Sequence, residues 1–200
     1  MLVLLSACDR FSLQSKALQR TLHEQQYQAD MLSEHLCRAV EMNNSDSIWH
    51  YSQADNSILC YIYKGRQLVY WSNAWLSASE RTMRQVHDQW HFAQWDNAQG
   101  ICKRVSIGDY SILMAIPIKY DYSVTSPMLH NFFIAPFRGE EEWQLTYRQG
   151  GDDSMPIYSY DGLYLFSISK TAESTLAIRN DEVIENFSYQ AILATDQQDQ

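Results

Sequence analysis

The 200-residue chain is poor in backbone punctuation, with seven glycines and four prolines. It has four cysteines, Cys8, Cys37, Cys60 and Cys102, and no pair is spaced C-x-x-C. That excludes a zinc ribbon or a thioredoxin-type motif, and such sparse, irregular spacing argues against a disulfide framework. No basic stripe interrupts a net charge of −9. Without clustered Lys and Arg to neutralise phosphates, no nucleic-acid partner is expected. No G-x-S-x-G elbow is present for a serine nucleophile. No stretch approaches the ~20 apolar residues that span a bilayer.

Metal chemistry finds little to work with. His87 and His91 stand four apart in a segment read as helical, but Asp88-Gln89-Trp90 between them lacks the Glu of a metalloprotease H-E-x-x-H. Glu140-Glu141-Glu142 and Asp152-Asp153 lack the alternating spacing and central Gly of a calcium loop. A solvated surface explains them better. No metal and no cofactor is implied, and no catalytic residue is assigned.

What the chain does have is aromatic mass: 13 Tyr, 6 Trp and 7 Phe, within 46% hydrophobic and 20% charged residues. The balance is that of a globular protein, and the length suits one domain, or one domain with an appended helix.

From Phe11 to about Asn43 there is neither Gly nor Pro. Leu18, Leu22, Gln25, Ala29, Leu32, Leu36 and Ala39 step alternately by four and three, which is heptad spacing. One helix of about 45 Å follows from 1.5 Å per residue. It serves either as an amphipathic helix packed on its own domain or as a stalk pairing with a second copy. The expectation combines both, with the lower part free and the upper part packed.

Beyond the turn residues 43–47, Ile58–Tyr63 and Gln67–Asn73 flank Lys64-Gly65-Arg66 as a hairpin. Ser77 to about Trp95 reads as a helix, and Gly100 as its break. Ile101–Ile107 and Tyr110–Tyr120 read as strands around Gly108-Asp109, the second central, with Pro117 marking its far end. Met128–Phe133 reads as a short helix or apolar loop. Glu142–Tyr147, Met155–Ser159 and Leu163–Ser169 read as further strands, the last two around Tyr160-Asp161-Gly162. Asp181–Leu193 reads as a weak helix before a disordered end.

The segments YIYKGRQLVYWSNAW (61–75), GDYSILMAIPIKYDYSV (108–124) and MPIYSYDGLYLFSIS (155–169) resemble the periplasmic sensor region of Bacteroidetes-type sensor histidine kinases. The resemblance covers about residues 10–170. It implies an α+β fold: a long N-terminal helix, then a PAS/PDC-like mixed, mainly antiparallel sheet with short helices. It divides the chain into a truncated signal or membrane segment (1–10), a stalk helix (11–43), a PAS-like sensor domain (44–170) and a C-terminal tail (171–200). A parent kinase would continue into a phosphoacceptor helix and Gly-rich nucleotide-binding boxes. Neither pattern occurs here, so this chain is expected to be non-catalytic.

The expected function is therefore an extracytoplasmic signal-receiving module of two-component signalling, in the bacterial periplasm or envelope. Leu5-Ser6-Ala7-Cys8 resembles a lipobox, which makes Cys8 a lipidation candidate and offers the alternative of a free-standing lipoprotein binding module. Only seven residues, none basic, precede Cys8, so either the true start lies upstream or a truncated membrane helix ends here. Both put the N-terminus at a membrane. Tyr63, Tyr70, Trp71, Tyr110, Lys119 and Tyr120, on or at the ends of strands, are the candidate ligand contacts in the sheet core. Plain sheet packing accounts for the same residues. The expected partners are an unidentified small molecule or envelope protein, and a second copy through the 11–43 helix.

Overall fold

The computed structural model describes residues 7–52, 57–74, 76, 87–122, 130–139, 143–148 and 154–170, with the backbone alone at 7–9. A long helix, α1 (Ala7–Glu41), opens the fold. Its seam of Leu18, Leu22, Gln25, Ala29, Leu36 and Ala39 is buried, with Leu32 packed alongside. Asn43 ends it with a left-handed φ of 51°. The Asn44 amide donates to Ala39 O and the Asn43 amide to Val40 O, which satisfies the last carbonyls of the helix. The Asn44 side chain then accepts from the Ser47 amide, starting a short helix, α2 (Ser45–Ser52), where the sequence suggested only a turn.

Eight strands follow: β1 (Leu59–Lys64), β2 (Gln67–Trp71), β3 (His91–Gln94), β4 (Ala98–Ile107), β5 (Tyr110–Tyr120), β6 (Trp143–Thr146), β7 (Ser154–Tyr158) and β8 (Tyr164–Lys170). They form a five-stranded sheet in the order β2-β1-β5-β4-β3 and a three-stranded sheet in the order β6-β8-β7. Every pairing is antiparallel, so the mainly antiparallel character expected stands, in two sheets instead of one and with no parallel pair among the described strands. The α+β architecture with a long N-terminal helix stands. The hairpin turns at Gly65, Gly108 and Gly162 each use a positive φ, which explains the glycine there.

α1 lies over both sheets. Its seam shares one core with Ile112, Met114, Ile116 and Ile118 of β5, Cys60 and Ile62 of β1, and Ile157, Phe166 and Ile168 of the small sheet. The seam that would have paired with a second copy is thus filled by the chain's own sheets. Nor is the lower part of the helix free: Phe11 packs edge-on against the buried Trp143, ring centroids 5.1 Å apart.

Two other expectations are corrected. The helix predicted over 77–95 does not reach its predicted end, because His91–Gln94 pair with β4 as an edge strand; residues 77–86 lie outside the described set. The pattern Met83, Val86, Trp90 suits a helix, but from Trp90 onward the ladder hydrogen bonds win. Gly100 does not break an element but lies inside β4, opposite Pro117 at a register shift. A Cβ there would come 2.2 Å from Ile116 O, so only glycine lets the strands close at this point. Of the helix or apolar loop expected at 128–133, the described residues 130–133 form a loop, with Phe133 bridging to Lys119. The predicted C-terminal helix at 181–193 lies outside the described residues.

Candidate functional site

The large sheet carries two packed faces. One meets α1. The other gathers Leu59, Tyr61, Tyr63, Leu76, Trp95, Ala98, Cys102, Leu113 and Ala115, with Ala93 and Tyr120 at its margin. Small side chains fill its middle and tyrosines stand toward its ends, and all of the core positions are buried, so this face is a second packed core. Tyr61 donates to Leu76 O at 3.4 Å, and burial pushes its phenol up to about 12.

Also on this face, Cys102 lies 3.4 Å from His91 Nε2, and His91 Nδ1 is 3.0 Å from Gln89 O. A carbonyl only accepts, so Nδ1 carries the proton and Nε2 accepts from the thiol. The grouping has the connectivity of a nucleophile, base and orienting group, but its electrostatics run the other way. Burial pushes the Cys102 thiol up to about 12 and the His91 imidazole down. Both groups are therefore held neutral, whereas a reactive cysteine is a thiolate in an electropositive setting. His87 and His91 do sit together, rings 5.3 Å apart, though not on one helix face. Among the described residues no three His, Cys, Asp or Glu side chains converge on a metal position.

The six expected ligand contacts are not brought into one site. Tyr63 lies on the outer face and Tyr70 and Tyr110 on the face that meets α1, as strand alternation requires, whereas Tyr120 turns to the outer face only beyond the register shift between Gln99 and Gly100. Tyr110 and Tyr120 begin and end β5, about 33 Å apart at 3.3 Å per residue. Trp71 is half exposed at the sheet edge. Lys119 is buried, with its ammonium donating to Trp143 O and lying 5.5 Å from the Phe133 ring centre. It ties the two sheets together instead of waiting for a ligand. The backbone of Cys8 falls in α1, and its side chain lies outside the described residues.

The feature that the sequence reading missed is polar. Along α1, Gln19, His23, Gln26 and Asp30 step by four, three and four, beside the apolar seam. Gln19 Oε1 accepts from the Tyr158 amide at 3.4 Å, and His23 Nε2 lies 2.9 Å from Tyr158 O. Gln26 Oε1 accepts from the Tyr160 amide at 3.3 Å. The helix thereby seals the end of β7, an edge strand that would otherwise offer bare backbone to another chain. Asp30 completes the stripe by receiving both the Tyr160 hydroxyl and the Lys103 ammonium. The bond to Asp30 is the main reason the Tyr160 phenol is pushed up to about 12, with burial adding to it. Lys103, on β4, also lies 5.2 Å from the centre of the Trp90 ring. One carboxylate thus joins the helix, the large sheet and the turn of the small sheet.

No family model, curated protein or solved structure matches the chain. Among the described residues no helix is long and apolar enough to cross a membrane.

Proposed function

We propose that the chain is a signal-receiving domain of the bacterial envelope, of PAS/PDC-like type, in which α1 is the output element. The observation that carries this reading is the shared carboxylate of Asp30, held at once by Lys103 of β4 and Tyr160 of the β7–β8 turn. Cys102 and Lys103 are neighbours on β4 that face opposite ways, one into the outer face and one toward the helix. A ligand or protein seated on the outer face and displacing β4 therefore acts on the Asp30 contact within one residue. Polar contacts of this kind have alternative partners in water, so a differential affinity of a few kcal/mol is enough to shift their population. The strand order β2-β1-β5-β4-β3 is the order expected of a PAS-like sheet, which supports the type.

Coupling is tested by screening small molecules for thermal stabilisation of the full chain and following hydrogen exchange along α1. A ligand that binds the outer face and alters exchange around Asp30 is the expected result. Binding there with α1 unchanged overturns the coupling. Location is tested separately, by fractionating cells that express the tagged protein. An envelope fraction is expected, a cytosolic one overturns the placement, and lipid labelling lost in Cys8→Ser identifies a lipoprotein.

A further inference from the structure

Between the N-terminal half of α1 and β7 lies a groove of about 580 Å³, lined by Ser15, Lys16, Gln19, Arg20, His23 and, from the strand, residues 155–158. Its volume falls within the range of small-molecule sites, roughly 300–1,000 Å³. Its charge is unlike that of the protein around it. The chain carries 24 acidic against 15 basic residues, yet the groove lining holds Lys16, Arg20 and His23 and no carboxylate.

Lys16, Arg20 and His23 step by four and three, so α1 stacks them on one face over about 10 Å at 1.5 Å per residue. Neither Lys16 nor Arg20 has an ion-pair partner among the described residues. Glu24, one turn beyond Arg20, is exposed and is not part of the lining. His23 is fixed in place by its contact with Tyr158 O. Opposite Lys16 and Arg20 stand Met155 and Pro156, an apolar wall with Ile157 buried behind it in the core.

We propose that this groove binds a small organic anion, its carboxylate or phosphate head between Lys16 and Arg20, beside the His23 ring, and its apolar body along Met155 and Pro156. The walls argue against an added β-strand as occupant. Tyr158 already spends its outward amide and carbonyl on Gln19 and His23. By ladder alternation Pro156 faces the same way and has no amide to donate. The groove therefore offers a strand few backbone partners, while its cations suit a compact anionic head. The site stands independently of the sensor reading, because it lies on the small sheet and not on the outer face of the large one.

The test is titration of the full chain with octanoate, octyl phosphate and inorganic phosphate, followed by the His23 ring resonances and by calorimetry. Saturable binding of an octyl anion that shifts those resonances is expected, with inorganic phosphate at least tenfold weaker. Lys16→Glu/Arg20→Glu, both at exposed positions, should weaken binding at least tenfold while leaving the melting temperature unchanged. Arg38→Glu, on the same helix outside the groove, should bind as the wild type does. No octyl binding at millimolar concentration, or binding that the double charge reversal leaves intact, overturns the proposal. Equal affinity for inorganic phosphate overturns the role of the apolar wall.

Discussion

The Asp30 carboxylate on α1 and the Lys103 ammonium on β4 form an ion pair whose side chains are only 21% and 14% exposed. At that depth, breaking the pair costs more than the pair contributes, because the remaining charge keeps its desolvation penalty. Lys103→Met is therefore expected to destabilise the fold by about 2–3 kcal/mol, below the full cost of a wholly buried pair because some solvent reaches this one. Asp30→Asn should cost a comparable amount, since it also weakens the acceptor of the Tyr160 hydroxyl. The double variant should recover at least half of the summed loss. Urea midpoints for the four proteins of this cycle decide it, and strictly additive losses would show that the two groups do not interact.

Gly100 gives a sharper expectation. Its missing Cβ would lie 2.2 Å from Ile116 O and 2.8 Å from Pro117 Cα, both backbone atoms with no rotamer to yield. Gly100→Ala is expected to destabilise the protein by at least about 2–3 kcal/mol, as overpacking at a close strand approach does. Gly65→Ala, with open space around the Cβ but a φ of 58°, should cost only about 1 kcal/mol. Equal losses at the two positions would contradict the close approach.

The same glycine shows how far the sequence could be read. Strand β5 is read with its bounds intact, and the two hairpins at Gly65 and Gly162 are found, because local turn chemistry and apolar runs fix them. The heptad seam of α1 is equally legible, but its partner is not. A four-three repeat says that something apolar covers that face, and a sheet of the same chain satisfies it as well as a second copy does. Gly100 signals a special backbone requirement, yet a helix break and a tight strand crossing both meet it. The site was least legible. Six aromatic and basic residues chosen for lying on strands fall on both faces and both ends, since period-two alternation separates side chains that look close in sequence. The Gln19, His23, Gln26, Asp30 stripe was visible as polar positions beside the seam. Only the position of β7 makes them partners.

Burial lowers the His91 imidazole from its ordinary value near 6.5, against the hydrogen bond to Gln89 O and helped by the neighbouring His87, and this makes a pH-dependent contribution to stability. The unfolded chain then takes up the proton at a higher pH than the folded one. The His91 contribution is thus fully present above pH 6.5 and is lost as the pH falls below it, toward the lower folded value. His91→Gln should flatten this part of the curve, measured by denaturant midpoints between pH 7.5 and 5. A wild-type curve that stays flat there, or an unchanged slope in the variant, would rule the residue out as its source.

The three described thiols should separate by reactivity. Cys37 on α1 is half-buried, whereas Cys60 and Cys102 are fully enclosed on β1 and β4, and burial pushes both of their thiols up to about 12. Cys37 is also raised, by burial and by Glu41, so its labelling will be slow but will not require unfolding. Cys60 and Cys102 can react only when the sheet opens, an event as rare as the stability of the core makes it. In a Cys8→Ser background, maleimide should modify Cys37 at least about a hundredfold faster than the other two at pH 7.5 in the absence of denaturant, and urea should abolish the difference. Mass spectrometry of time-quenched samples measures all three rates together. Rapid native labelling of Cys102 would mean that the outer face of the large sheet is open down to its strand, and that the neutral Cys102–His91 pair does not persist in solution.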